Sequence, residues 1–210
     1  KTINTMKKLL LFLLSLSFYF AQAQYPEGFE SGVPPTGWAR FDNGVGTLQS
    51  WTNNGTFPNS GTQAAFVQRE AIGTGNTSED WLVTPLSAIP ANGQLRFFTR
   101  QLFSGDGGTL YDIRVSTTSQ TNPATFTSIQ TYTETQLNEN SVYNVYEEKV
   151  LDISAFATQS VYIAFVRVHT QTGATVGGDG WFIDDVNVTQ QCFDPFFVQV
   201  SNITGSTVQI

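Results

Sequence analysis

Cysteine, histidine and methionine each occur only once in this chain of 210 residues, as Cys192, His169 and Met6. One cysteine cannot form an internal disulfide, and one cysteine with one histidine cannot supply the four nitrogen or sulfur ligands of a structural zinc site. Ser-His-Asp and Cys-His catalytic arrangements would each depend on a single residue, with His169 at the end of a predicted strand. The sequence therefore disfavours zinc binding and catalysis.

Basic residues are also scarce, because 10 lysines and arginines stand against 17 acidic residues, and charged residues make up only 13% of the chain. Such a surface repels phosphate backbones and anionic lipid, so we expect neither nucleic-acid binding nor polybasic membrane attachment. Helix-favouring Lys, Glu, Leu and Ala are few, whereas Thr, Val, Phe and Tyr, which suit a pleated sheet, are plentiful. The composition predicts an all-β protein.

Long apolar runs are absent except at 9–20, directly after Lys7 and Lys8. This run is too short for a transmembrane anchor, which needs about 20 residues. Small residues follow at Ala21 and Ala23, so we predict that 1–23 comprise upstream residues and a secretory signal peptide, with translation starting at Met6. Its removal leaves 7 basic residues against 17 acidic ones, a formal charge of −10.

Short runs of alternating apolar residues lie between clusters of Gly, Asn, Pro and Thr, a pattern typical of an antiparallel sandwich. Six strands are predicted, at 95–103, 110–117, 126–133, 143–153, 161–169 and 181–188. Both faces of 161–169 are apolar, so this strand is expected at the centre of a sheet. Turns such as 104–108 and 121–123 separate the strands.

The segment 28–80 is richer in Gly, Asn and Pro, and we expect it to wrap around the sandwich. Its aromatic residues include Trp38 and Trp51, which could serve as stacking platforms for a sugar. The alternative, which we favour, is that they close the ends of the core, since a buried aromatic side chain removes about 150–250 Å² from water. Trp81 and Trp181 are interpreted in the same way.

Four longer motifs occur in a fixed order along the chain. They are Gly28-Phe29-Glu30-Ser31, Pro35-Thr36-Gly37-Trp38, Glu79-Asp80-Trp81-Leu82-Val83-Thr84-Pro85 and Gly180-Trp181-Phe182-Ile183-Asp184-Asp185-Val186. Together they resemble the cleaved-adhesin (choice-of-anchor J) module, found in secreted bacterial adhesins and gingipain-type proteases. The resemblance covers roughly 28–189 and implies a jelly-roll β-sandwich, related in shape to MAM and carbohydrate-binding modules, at 24–190.

The resemblance also implies a calcium site formed by Glu30, Asp80 and Asp184. Calcium takes six to eight oxygen ligands, and a jelly roll can bring its first and last strands together. The alternative is that Glu30 and Asp184 are solvated or accept hydrogen bonds from backbone amides at strand ends. Asp42, Asn43, Asp106 and Asp179 lie in polar or glycine-rich turns and are interpreted as turn formers.

The last part of the chain, 191–210, has a different character and resembles the first strands of a fibronectin type III domain. About 20 residues cannot bury a sandwich core. We therefore expect the sequence to be a fragment of a longer polypeptide with further domains.

These expectations favour a non-catalytic, extracellular binding module, secreted or attached to a bacterial surface. It would engage a host or matrix protein or a glycan, through loops at one end of the sandwich, with calcium as the expected cofactor. The alternative is an accessory domain of a secreted peptidase or other hydrolase, whose catalytic domain lies outside this sequence.

Overall fold

The computed structural model describes residues 25–46, 50–139, 142–174 and 177–191. The predicted signal peptide and, apart from Gln191, the fibronectin-like segment lie outside these residues, as does Cys192. None of the helices in the described ranges has the length and apolarity needed to cross a bilayer.

The described chain forms eleven strands and one short helix, with single turns of 3-10 helix at Pro123–Thr125 and Ser154–Phe156. In chain order the strands and helix are β1 (Ala39–Asp42), β2 (Thr52–Asn54), β3 (Ala64–Val67), β4 (Thr77–Val83), β5 (Ser87–Ala88), β6 (Gly93–Gln101), β7 (Thr109–Ser116), β8 (Thr127–Thr133), α1 (Glu134–Leu137), β9 (Glu147–Asp152), β10 (Ser160–Thr170) and β11 (Trp181–Gln190).

Two antiparallel sheets make the jelly-roll sandwich that was predicted. The first has the order β1-β4-β10-β7-β8, with β5 also pairing with β10. The second has the order β2-β3-β11-β6-β9, and its pairing shifts register between Asp184 and Asn187. The central position predicted for 161–169 is confirmed, because β10 lies between β4 and β7.

The main core lies between the two sheets, and β10 shows how the sequence builds it. Successive side chains of a strand point to opposite faces, so Val161, Ile163 and Phe165 join the core while Ala164 and Val166 pack on the outer face of the first sheet. The outer cluster contains Trp81, against which Phe41 is stacked with ring centroids 5.3 Å apart.

The inward face of β10 becomes polar towards its C-terminal end. Arg167 and His169 continue the row begun by Val161, and both are buried. Their neighbours across the sheet include Asp80, Ser78 and Tyr111, which are buried too. The interior therefore divides into an apolar part and a polar part.

The tryptophans are buried, as the core interpretation predicted. Trp51 and Trp181 pack against each other with ring centroids 5.3 Å apart, and each indole N–H donates inside the protein, to Asp80 O at 3.1 Å and Thr99 Oγ1 at 2.7 Å. Trp38 and Trp81 are 7% and 0% exposed.

The expectation for 28–80 was wrong in part, because this segment also contributes β1, β2, β3 and most of β4. Strands β1 to β3 have three or four residues each, too short for a clear alternation of apolar and polar side chains. The predicted strand at 143–153 is shorter in the structure, where β9 begins at Glu147.

Candidate functional site

Glu30, the first residue of the predicted calcium set, lies in a turn near the start of the described chain. Its Oε2 accepts a hydrogen bond from the Thr62 hydroxyl at 2.6 Å, and its Oε1 accepts from the backbone N–H groups of Thr62 at 2.9 Å and Gln63 at 3.1 Å. These hydrogen bonds, the hydroxyl above all, hold the pKa of Glu30 below its ordinary value. Glu30 therefore fastens the 59–63 loop.

Asp184 contacts the same loop from β11. Its Oδ2 accepts hydrogen bonds from the backbone N–H groups of Asn59 at 2.8 Å and Ser60 at 3.2 Å. The neighbouring Asp185 accepts from the side chains of these two residues, at 2.8 and 2.7 Å. Burial raises the pKa of Asp184 to about 6, and the two backbone amides oppose the rise.

Asp80, the third predicted ligand, lies in the polar part of the interior. Its Oδ2 accepts a hydrogen bond from Arg167 Nη1 at 3.0 Å. Burial raises the pKa of Asp80 to about 7, although the Arg167 guanidinium opposes the rise. The other oxygen, Oδ1, has no hydrogen-bond partner among the described residues.

The structure thus divides the predicted ligand set. Glu30 and Asp184 face one loop, whereas Asp80 is paired with Arg167 across the first sheet. Within the ranges that the structure describes, no group of three or more His, Cys, Asp or Glu side chains is arranged to hold a metal ion. Glu30, Asp80 and Asp184 therefore do not fit a shared calcium site.

The predicted turn formers behave as expected in two of the glycine-containing turns. Asp42 Oδ1 accepts a hydrogen bond from Gly44 N at 2.6 Å, and Asp106 Oδ1 accepts from Gly108 N at 3.0 Å. Both bonds span two residues, which is the geometry of an Asx turn. Asp179 instead accepts a hydrogen bond from the backbone N–H of Phe103, which is distant in the sequence.

A cavity of about 310 Å³ lies at the loop-covered end of the sandwich, beside the polar part of the interior. This volume is at the lower limit of the range for small-molecule sites. Its lining residues include Arg69, Phe103, Asp106, Glu134, Gly178 and Asp179.

Two buried carboxylates hold the walls of this cavity in place. Glu134, at the start of α1, accepts hydrogen bonds from the backbone N–H groups of Gly107 at 2.5 Å and Thr109 at 2.8 Å. Asp179 accepts from the N–H groups of Phe103 at 2.9 Å and Gly180 at 2.6 Å. Because backbone amides occupy these oxygens, the two carboxylates act as braces for the 103–109 loop.

Asp179 is nearly fully buried, and burial raises its pKa to about 7. Hydrogen bonds from the Phe103 and Gly180 amides oppose the rise, while the charge of Glu134 adds to it. Asp179 therefore keeps its proton in mildly acidic solution.

Arg69 and Phe103 supply the exposed chemistry of the cavity. The guanidinium carbon of Arg69 lies 3.9 Å from the centre of the Phe103 ring, which is a cation–π contact. Phe103 remains 38% exposed. The cavity thus presents an aromatic side chain and a cation at its surface.

A second cavity, also of about 310 Å³, adjoins the first across the 104–106 loop. The two share Ser104, Gly105, Asp106 and Glu134, and the second is also lined by Gln101, Thr135, Asn138 and Tyr143. The two cavities therefore lie on either side of that loop and share part of their lining.

Arg69, Phe103 and Glu134 were missed by the sequence interpretation. The only signal near them is the glycine-rich turn at 104–108, which was assigned as a turn and nothing more. Arg69 is 34 positions before Phe103, and nothing local to either residue indicates that the fold brings them together.

No protein-family model matches the chain, and no curated protein matches it. Solved structures do. The K1 cleaved adhesin domain of Lys-gingipain from Porphyromonas gingivalis W83 aligns with a TM-score of 0.56 and 20% identity, over 79% of this chain and 97% of that domain. The K2 cleaved adhesin domain of Lys-gingipain aligns over the same shares with a TM-score of 0.55 and 19% identity.

A carbohydrate-binding module, TmCBM61, solved in complex with β-1,4-galactotriose, aligns over 79% of this chain and 95% of its own. Its TM-score is 0.50 and its identity is 14%. Likeness at these identities establishes a common fold. The fold is shared by adhesin and carbohydrate-binding domains.

Proposed function

We propose that residues 24–190 form a non-catalytic binding module that engages a glycan or a host or matrix protein. The observation that carries this proposal is the pair of adjoining cavities at the loop-covered end of the jelly roll. Exposed Phe103 lies beside polar groups there, and ligand sites combine apolar surface with a few placed polar groups. The fold likeness to adhesin and carbohydrate-binding domains supports the same function.

We place the module in the cleaved-adhesin family, as part of a secreted or surface-attached bacterial protein with further domains. Support comes from the ordered motifs in the sequence and from the fold shared with the gingipain domains. The predicted signal peptide at 1–23 would direct export. Weak contacts from repeated modules would add up to avidity.

The carboxylates of the first cavity favour binding over catalysis. Glu134 and Asp179 are 2% and 1% exposed and accept hydrogen bonds from backbone amides, so both position the loop rather than present an exposed carboxylate to a substrate. The alternative proposal is an accessory domain of a secreted peptidase or other hydrolase. The complete open reading frame separates the two, because it would contain either further adhesive modules or a domain with its own catalytic residues.

Calcium binding stays a prediction, and we propose it only for the 59–63 loop, where Glu30 and Asp184 converge. Each carboxylate oxygen has two lone pairs, so it can accept a loop hydrogen bond and still contact a cation. Asp80 is left out of this proposal because its partner is Arg167.

Binding to immobilised glycans and to purified matrix proteins tests the main proposal. We expect saturable binding of the folded protein to at least one of these, and none after heat denaturation. The proposal is overturned if the folded protein binds nothing in either set, or if it releases hydrolysis products from a bound partner.

A further inference from the structure

Arg69 differs from every other basic side chain in the described part of the protein. The others donate hydrogen bonds to neighbouring protein groups; they are Arg40, Arg96, Arg100, Arg114, Lys149 and Arg167. The Arg69 guanidinium makes no hydrogen bond or ion pair with any residue that the structure describes, and its contact is with the Phe103 ring. Within the described part of the protein, its five N–H donors are therefore left for solvent or for a ligand in the cavity.

The same cavity offers acceptors that are also available. Asp106 uses Oδ1 to accept from Gly108 N, and its Oδ2 has no partner among the described residues. The hydroxyl of Ser104, which lines both cavities, is likewise without a hydrogen bond there. Together with Arg69, these groups supply donors and acceptors beside an exposed aromatic ring.

The charges of these groups favour one class of ligand over the others. An anionic ligand would gain from Arg69 but would meet Asp106 in a protein that carries a formal charge of −10 without residues 1–23. A cationic ligand would gain from Asp106 but would meet Arg69. The other two carboxylates of the lining, Glu134 and Asp179, are buried and already accept hydrogen bonds from backbone amides. A neutral ligand with neighbouring hydroxyl groups can accept from a planar guanidinium, donate to a carboxylate and place its C–H face on Phe103.

The geometry points to a neutral saccharide as the ligand of this cavity, with Arg69 and Asp106 binding its hydroxyl groups and its C–H groups packing on the part of the Phe103 ring that Arg69 leaves exposed. This inference rests on the proposed binding function and adds both the ligand class and the residues that select it. The second cavity, which shares the 104–106 loop, gives room for a further sugar unit.

The test begins with an immobilised array of neutral oligosaccharides of glucose, galactose, mannose and N-acetylglucosamine, together with uronate and sialylated counterparts. The strongest neutral binder is then titrated by calorimetry into the wild type and into Arg69→Gln, Arg69→Lys and Phe103→Ala. Matched controls are Arg96→Gln, which removes an arginine paired with Glu148, and Phe57→Ala, which removes another exposed phenylalanine. Each variant is first checked for an unchanged circular dichroism spectrum.

We expect both Arg69 variants to weaken binding about tenfold or more, because a hydrogen bond to a charged group is lost and lysine lacks the planar fork. Phe103→Ala should weaken it several-fold, as expected for an aromatic contact. The two controls should bind like the wild type. Affinity for the neutral saccharide should change little with added salt.

Three results would overturn the inference. Preferential binding of uronates or sialosides, with a strong loss in salt and with Arg69→Lys still active, would assign an anionic ligand. Saccharide binding unaffected by the Arg69 and Phe103 variants would place the site elsewhere and leave the binding function intact. Absence of binding to every saccharide on the array would remove the inference, while binding to matrix proteins alone would leave the broader proposal standing.

Discussion

Arg167 donates a hydrogen bond to Asp80 at 3.0 Å, and the two side chains are 0% and 1% exposed. They are register partners on β10 and β4, in the polar part of the interior. Removing Arg167 leaves the Asp80 carboxyl buried without its partner, so it must either stay charged at a cost or take up a proton that the unfolded state lacks at neutral pH. We therefore predict that Arg167→Met lowers the free energy of unfolding by about 3–5 kcal/mol, measured by urea denaturation.

The matched control is Arg96→Met, which breaks an ion pair with Glu148 on the protein surface. Exposed ion pairs contribute about 0–1 kcal/mol, so this variant should unfold close to the wild-type midpoint. If Arg167→Met and Arg96→Met lost the same unfolding free energy, the buried pair of Arg167 and Asp80 would matter no more to stability than an exposed ion pair.

Gly178 and Gly105 both line the first cavity, but we predict that only Gly178 lacks the space for a side chain. Both have positive φ, at 77° and 98°, so alanine is strained at either position. A Cβ on Gly178 would lie 2.7 Å from His169 Nδ1 and 2.8 Å from Thr109 Oγ1, whereas a Cβ on Gly105 has nothing within 4 Å. Gly178→Ala should cost about 1–3 kcal/mol more than Gly105→Ala. Similar melting temperatures for the two variants would contradict the packing that we describe.

Asp179 should make the stability of the protein depend on pH. Its pKa rises from 3.8 to about 7 on folding, so the folded state keeps a proton that the unfolded state has already lost. The stability that it contributes is therefore present below about pH 4 and is lost as pH rises to about 7. In Asp179→Asn this titration is absent.

The measurement is the difference in unfolding free energy between wild type and Asp179→Asn, taken across that pH window. We expect the wild type to lose stability relative to the variant as pH rises. Asp80, whose pKa is also raised to about 7, titrates in both proteins and cancels in the difference. A difference that stays constant with pH would refute the raised pKa of Asp179.

Calcium, if bound at the 59–63 loop, should stabilise the domain by binding the folded state alone. A chelator is then expected to lower the melting temperature of the wild type, and added calcium to restore it. Glu30→Ala should be insensitive to chelator, whereas Glu148→Ala, which removes an exposed glutamate of β9, should respond like the wild type. A wild-type melting temperature that chelator leaves unchanged would end the calcium proposal.

The sheet centre could be predicted from sequence because its signal is local. Along 161–169 both alternating faces are apolar, and the structure places β10 between two neighbouring strands. Strand β2, with the sequence Thr-Asn-Asn, carries no such signal and forms because β3 is beside it. Propensity in a short strand is overridden by its tertiary partners.

The site was less predictable for a related reason. Glu30 and Asp184 were expected together and do share a loop, but the partner of Asp80 is a buried arginine that its local motif does not indicate. Arg69 became a candidate only when the folded arrangement showed that every other described basic side chain is engaged. Such a residue is identified by hydrogen-bond donors that have no partner in the folded protein. The spacing of residues along the sequence does not show which donors these are.

The direction of β11 carries the chain away from the cavity. This strand starts at Trp181, two residues after the cavity residue Asp179, and ends at Gln190. Ten residues at about 3.3 Å each carry the chain some 30 Å away from the cavity. The described chain enters beside Val186, to which Glu27 is bridged, and its last described residue follows Gln190, so both of its ends lie away from the cavity and leave the cavity mouth clear.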